Sequence, residues 1–147
     1  MSTNQVVLNN GTQAIVNYNT AKLFLRDTRF IKATYTNSTG VTVTITQGQL
    51  FGRISATGLV IPLLSGAVDG SQFPLGFAAK TQDVLNGESV DISLCVGGEL
   101  AKELISIDGG DTLATAISGK TLGDRIMSDT LGVLLVEGLE LTDFDNQ

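Results

Sequence analysis

Few side chains in this 147-residue chain have the type and spacing for chemistry, and histidine is absent. The commonest general base and the commonest metal ligand are therefore both missing, which excludes Ser–His and Cys–His mechanisms. Cys95 is the single cysteine, so there is no internal disulfide and no cysteine-built metal site. Set between Leu94 and Val96, it reads as a small buried hydrophobe on a strand. Asp108-Gly109-Gly110-Asp111 offers two carboxylates to a hard cation such as Ca²⁺, but the ligand ladder and terminal bidentate Glu of an EF-hand are missing. A turn whose Asp side chains bond their own backbone accounts for that string. Gly119-Lys120-Thr121 matches the end of a phosphate-binding loop, yet Ala114 stands where the first glycine belongs. A carboxylate pair for glycoside chemistry at Asp69 is not established by the sequence, where the nearest acid, Asp83, lies beyond an apolar strand. These residues predict no catalytic centre, no metal and no cofactor.

The elements around them are mostly strands. Val41-Thr42-Val43-Thr44-Ile45-Thr46 alternates with a period of two, the pattern of a strand with one buried and one wet face. Phe30 to Tyr35, Leu50 to Ile54, Leu59 to Leu64, Phe73 to Ala79 and Val90 to Val96 are further strands, with Asn37-Ser38-Thr39-Gly40 and Asp69-Gly70-Ser71-Gln72 as turns. Pro62 has no N–H to give a ladder, which predicts an edge or a bulge. Gly97-Gly98 should end the strand that holds Cys95, and Leu100 and Leu104 then share a helical face, with a short strand as the other option. Thr121-Leu122-Gly123-Asp124 outlines a capping box. A short helix follows to about Asp129, with Leu122, Ile126 and Met127 as its apolar stripe, and Val133 to Val136 is a closing strand. The acidic tail Glu137 to Gln147 reads as solvated surface.

The fold class is thus mainly β, a small β-rich α+β domain with one or two short helices. It comprises an extended N-terminal arm, residues 1–20, and one β-rich domain, residues 21–147, with a C-terminal helix–strand segment. In the arm, Val6-Val7-Leu8 and Ala14-Ile15-Val16 flank Asn9-Asn10-Gly11, a hairpin signal. A two-stranded hairpin is marginal alone. Strand addition to a partner's sheet edge would supply the hydrogen bonds it lacks, with Val6, Val7, Leu8, Ile15 and Val16 as the binding side chains.

Charge and composition narrow the partners. Residues 1–60 hold five basic side chains and one acid, whereas residues 61–147 hold four and fourteen, giving +4 and −10 and the net −6 of the whole. A net negative chain without tryptophan is a poor match to nucleic acid, which asks for phosphate-neutralising charge and stacking platforms. With 42 % hydrophobic but only 16 % charged residues, part of the apolar surface is expected to face a partner. No apolar run approaches the ~20 residues of a membrane span. The opening Met-Ser-Thr-Asn-Gln lacks the basic cluster and apolar core of a secretory signal.

One ordered string adds a family resemblance. Gly48-Gln49, Leu50-Phe51-Gly52-Arg53-Ile54, Ala56-Thr57-Gly58, an apolar strand, Asp69-Gly70-Ser71-Gln72 with Pro74 and Gly76, and a late Gly98-Glu99 follow the order seen in lambda-type head decoration proteins of tailed bacteriophages. The chain resembles that family over roughly residues 41–105. The resemblance implies a small β-rich capsid cement protein, made in the bacterial host cytoplasm. It implies homotrimers on the outer surface of the virion head that bridge major capsid protein subunits and stabilise the expanded shell, without enzymatic activity. The arm would then bind the major capsid protein. Asp69, Gly70, Ser71, Gln72, Pro74 and Gly76 read as a structural turn: Asp69 caps it, Gly70 takes a positive φ and Pro74 stiffens the next strand. The alternative is a non-catalytic β module of a phage tail or fibre that binds a cell-surface glycan.

Overall fold

A computed structural model of the chain describes residues 22–129 and 131–136. The fold is mainly β, one largely antiparallel sheet with a few short helical turns. We label its strands β1 (Phe24–Thr36), β2 (Val43–Ile45), β3 (Leu50–Arg53), β4 (Val60–Pro62), β5 (Pro74–Ala78), β6 (Gln82–Val84), β7 (Ser89–Ala101), β8 (Ala116–Ile117), β9 (Lys120–Thr121) and β10 (Gly132–Val136). β7 is the axis of the sheet. β1 runs antiparallel along one of its edges, and the other edge carries β5 at Cys95 and Leu94, then β10, parallel, from Gly97 to Ala101. β3 and β4 extend the sheet beyond β5, while β2 and β6 form a separate antiparallel pair.

Strand periodicity explains how one sheet serves two cores. Leu50, Phe77 and Cys95 point into a cluster with Leu100, Ile117, Leu122, Ile126, Val133 and Leu135, which the C-terminal segment covers. Their chain neighbours Phe51, Ala78 and Leu94 point the opposite way, into a cluster with Tyr35, Ile45, Val60, Val84 and Ile92, which the β2–β6 pair covers. Successive side chains on a strand face opposite sides, and here both sides are dry. On β2 the alternation is one-sided as expected: Ile45 is buried, whereas Thr44 is exposed and its hydroxyl donates to Asp83. Pro62 lies on β4, whose ladder partner is β3 alone among the described strands.

Three expectations are corrected. Gly97-Gly98 does not end its strand, which continues to Ala101. The glycines instead admit a bulge. Gly98 has φ +103°, a Cβ there would lie 2.7 Å from the Arg26 carbonyl oxygen, and the β1 register slips between Phe24 and Phe30. Because that strand continues, Leu100 reaches the core from a strand and the helical reading of Glu99 to Leu104 shrinks to one 3₁₀ turn, Lys102–Leu104. So short a segment gains too few hydrogen bonds to offset helix nucleation. The Thr121 helix begins as expected, with the Thr121 hydroxyl accepting from the Asp124 N–H at 3.2 Å. It then widens after Leu122–Asp124 into a π-turn, Arg125–Asp129. The i→i+5 spacing of that turn departs from the 3.6-residue stripe, so Leu122 and Ile126 are buried but Met127 is exposed.

Candidate functional site

The turn at Asp69 is built from its own side chains. One Asp69 carboxylate oxygen, Oδ1, accepts from the Ser71 N–H at 3.0 Å and the Ser71 hydroxyl at 2.6 Å, while Gln72 Oε1 accepts from the Gly70 N–H at 2.8 Å. Short polar side chains that mimic a backbone turn favour this geometry, and Gly70 supplies φ +105°. The Ser71 hydroxyl, and then its N–H, hold the exposed Asp69 carboxyl below its ordinary pKa. A carboxyl lowered in the fold adds stability above its unfolded pKa, and loses it as pH falls through the folded value. Replacing Asp69 with Asn is therefore expected to lower the urea midpoint at neutral pH, with the gap to wild type closing in acid. A gap independent of pH would show that the charge is not what the turn uses.

This turn is seated backbone to backbone against Gly52 of β3 and against Ser55, two residues beyond that strand. The Ser55 N–H donates to the Asp69 carbonyl at 2.8 Å, and Ser71 is fully buried. A Cβ at Gly52 would lie 2.1 Å from the Ser71 carbonyl oxygen, and one at Gly70 would lie 2.3 Å from the Ser55 hydroxyl. Pro74 opens β5, and Gly76 packs under the Cys95 carbonyl on β7. Phe73 meets the Arg125 guanidinium, 4.9 Å above its ring, and Arg125 donates to the Ile117 carbonyl at 2.7 Å. The turn, the edge of β3 and the C-terminal segment thus form one body. Gln49 extends it: this buried side chain accepts from the Thr46 N–H and donates to Asp108.

Among the described residues, no acid pair converges at this body. Asp69 engages Ser71, Asp108 engages Gln49, and Asp111 accepts from the Ser65 N–H at 2.9 Å and hydroxyl at 2.6 Å. The expectation for Asp108 to Asp111 is corrected here: their carboxylates tie two distant loops together instead of bonding their own backbone. No cluster of three or more metal-ligating side chains occurs among the described residues. Ser118 and Gly119 join β8 to β9 with φ of 52° and 86°, the paired positive φ of a tight I′ hairpin. Thr121, the last residue of the P-loop-like string, caps the helix.

Cys95 is fully buried, and its thiol donates to the Gly97 carbonyl at 3.1 Å. Burial pushes its pKa up, which disfavours the reactive thiolate. A thiol reagent at neutral pH is expected to leave it unmodified in the native protein and to modify it fully in denaturant. Rapid native labelling would place the sulfur at the surface.

Among the described residues, Phe30 on β1, Met127 in the π-turn and Leu134 on β10 are large apolar side chains that reach solvent, and four more stand on pinned loops. Val68, 93 % exposed, and Leu64 occupy a loop closed by the Asp111–Ser65 pair at one end and the Asp69 turn at the other. Val41 and Leu85 are exposed at another loop pair, held by Asn37. The Asn37 amide donates to the Val41 carbonyl at 2.7 Å and the Val84 carbonyl at 2.8 Å, and its oxygen accepts from the Thr39 N–H and hydroxyl. Read from sequence, Asn37 is one of four turn residues. Val68, a β-branched residue among small and turn-forming neighbours, was the one signal for an exposed apolar tip. Val6, Val7, Leu8, Ile15 and Val16 lie outside the described residues.

A comparison with models of known protein families yields no match for this chain. A search of curated proteins likewise yields none.

Proposed function

We propose that the protein is a capsid decoration protein of a tailed phage, binding the outer surface of the head as trimers and bridging major capsid protein subunits of the expanded shell. The observation that carries this reading is how the resemblance folds. Leu50-Phe51-Gly52-Arg53-Ile54 and Asp69-Gly70-Ser71-Gln72-Phe73-Pro74-Leu75-Gly76 are separate strings in the chain, yet Gly52 and Gly70 let them lie against each other with no room for a methyl group. Residues locked in this way specify an architecture, so a likeness in them reports on the fold they build. Pinned loops with apolar tips suit the role, because a surface ordered before contact loses little freedom on binding.

In this reading the mechanism is adhesive and non-catalytic. Each copy contributes its arm, with Val6, Val7, Leu8, Ile15 and Val16 adding a strand to the capsid subunit, and threefold repetition multiplies weak contacts into avidity. Within the domain, the Asp69 turn is held against Gly52 and Ser55. The test mixes purified protein with cognate expanded heads that lack decoration, and separately with a glycan panel. Saturable co-sedimentation with heads and silence on the panel supports the proposal. Glycan binding without head binding would favour a tail or fibre module.

A further inference from the structure

The loop Leu85-Asn86-Gly87-Glu88 follows an asparagine with the residue that hinders its side chain least. The Glu88 N–H donates to the Leu85 carbonyl at 3.0 Å and Gly87 has φ +85°, so the turn itself requires a glycine at its third position. An Asn–Gly pair is also the one most open to ring closure. In that reaction the Gly87 nitrogen attacks the Asn86 side-chain carbon Cγ, and the new C–N bond replaces the bond to the amide nitrogen, which leaves as ammonia with the proton of the Gly87 N–H. Water then opens the cyclic imide at either carbonyl, giving aspartate or, with one extra carbon in the main-chain path, isoaspartate. We propose that Asn86-Gly87 is a latent modification site: the folded loop bars this reaction, and opening of the loop both starts it and is made permanent by it.

Both reacting groups are held by other parts of the fold. The Gly87 N–H, whose nitrogen is the nucleophile, donates at 2.6 Å to the carbonyl of the fully buried Asn37, which keeps the proton in place and fixes the plane of the peptide. Asn86 is exposed, yet its Oδ1 accepts from the Gly40 N–H across the loop at 2.8 Å. Bringing Cγ onto the Gly87 nitrogen requires the side chain to leave Gly40 and the peptide plane to leave Asn37. Two more bonds close the same turn: the Leu85 N–H donates to Glu88 Oε1 at 2.9 Å, and the Asn37 N–H donates to the Glu88 carbonyl at 2.9 Å. Isoaspartate would lengthen the chain between these bonds, so the turn could not close on Asn37 again. Aspartate leaves the backbone path unchanged. This site is independent of the capsid reading.

The test incubates the full-length protein at mildly alkaline pH in buffer, in urea below the unfolding midpoint and in urea that unfolds it. Deamidation is read by mass on the tryptic peptide 81–102, in which Asn86 is the single asparagine. The folded protein is expected to react ~10-fold or more slowly than the unfolded chain, because reaction waits for the loop to open. Below the midpoint, the rate should climb in step with hydrogen exchange at the Gly87 amide. After partial reaction and return to buffer, a deuterium pulse is read separately on the asparagine, aspartate and isoaspartate forms of this segment, and the isoaspartate form alone should have lost protection at Gly87. Equal rates in the folded and unfolded protein overturn the proposal, as does a rate that stays level while Gly87 exchange accelerates. An isoaspartate form as protected as the asparagine form would overturn it as well.

Discussion

Replacing Asn37 with Asp is expected to destabilise the protein by ~3–5 kcal/mol, the scale of leaving buried carbonyls unpaired beside a buried charge. Asn37 is fully buried, and its amide is the donor to the Val41 and Val84 carbonyls. Its backbone joins the same knot, with its N–H donating to the Glu88 carbonyl and its carbonyl accepting from Gly87. A carboxylate there would set acceptor against acceptor. The introduced acid would have a raised pKa in the fold, so the loss should be full above that pKa and ease as pH falls through it. Urea unfolding across pH checks both magnitude and sign. Asn86→Asp at an exposed position of the neighbouring loop is the control and should cost under ~1 kcal/mol. Equal losses at the two sites would remove Asn37 from its place at the centre of this end of the molecule.

The second large effect is expected at Gly52. Gly52→Ala would place a methyl carbon 2.1 Å from the Ser71 carbonyl oxygen and 2.9 Å from that of Phe73. Both obstacles are backbone, so the turn must lift off β3, and ~3 kcal/mol or more of stability should be lost, at or beyond the usual range for overpacking. Gly66→Ala provides the contrast, since a Cβ there meets nothing within 4 Å and the backbone is not left-handed. That change should be neutral or stabilise by up to ~1 kcal/mol through the unfolded chain. Thermal melts of the pair decide it. A Gly52→Ala protein as stable as wild type would show that the turn is not seated on β3 as described.

Much of the fold was readable because strands announce themselves through alternation. The alternating run Val41 to Thr46 holds β2, though the strand covers only Val43–Ile45, the apolar run Val90 to Val96 lies within β7, and the Thr121 cap was legible because its spacing is local. What escaped depends on contacts between distant residues. Gly97-Gly98 looks like a terminator, and only the neighbouring Arg26 and Asp27 backbone reveals a bulge. Asp108 and Asp111 look like a self-contained turn, yet their partners Gln49 and Ser65 lie 59 and 46 residues away. Met127 fits a helical stripe until the helix widens. At the candidate site, Asp69 to Gln72 could be read as a turn, but its seat on Gly52 could not.

The central claim, that three copies bridge capsid subunits on the outside of a phage head, is tested most directly by imaging. Cognate expanded heads without decoration would be incubated with the purified protein and reconstructed by electron cryomicroscopy. The account predicts outer density in groups of three copies, with each copy's N-terminal arm reaching a capsid subunit and the trimer spanning adjacent subunits. Bare heads, or isolated single copies touching one subunit each, would contradict it.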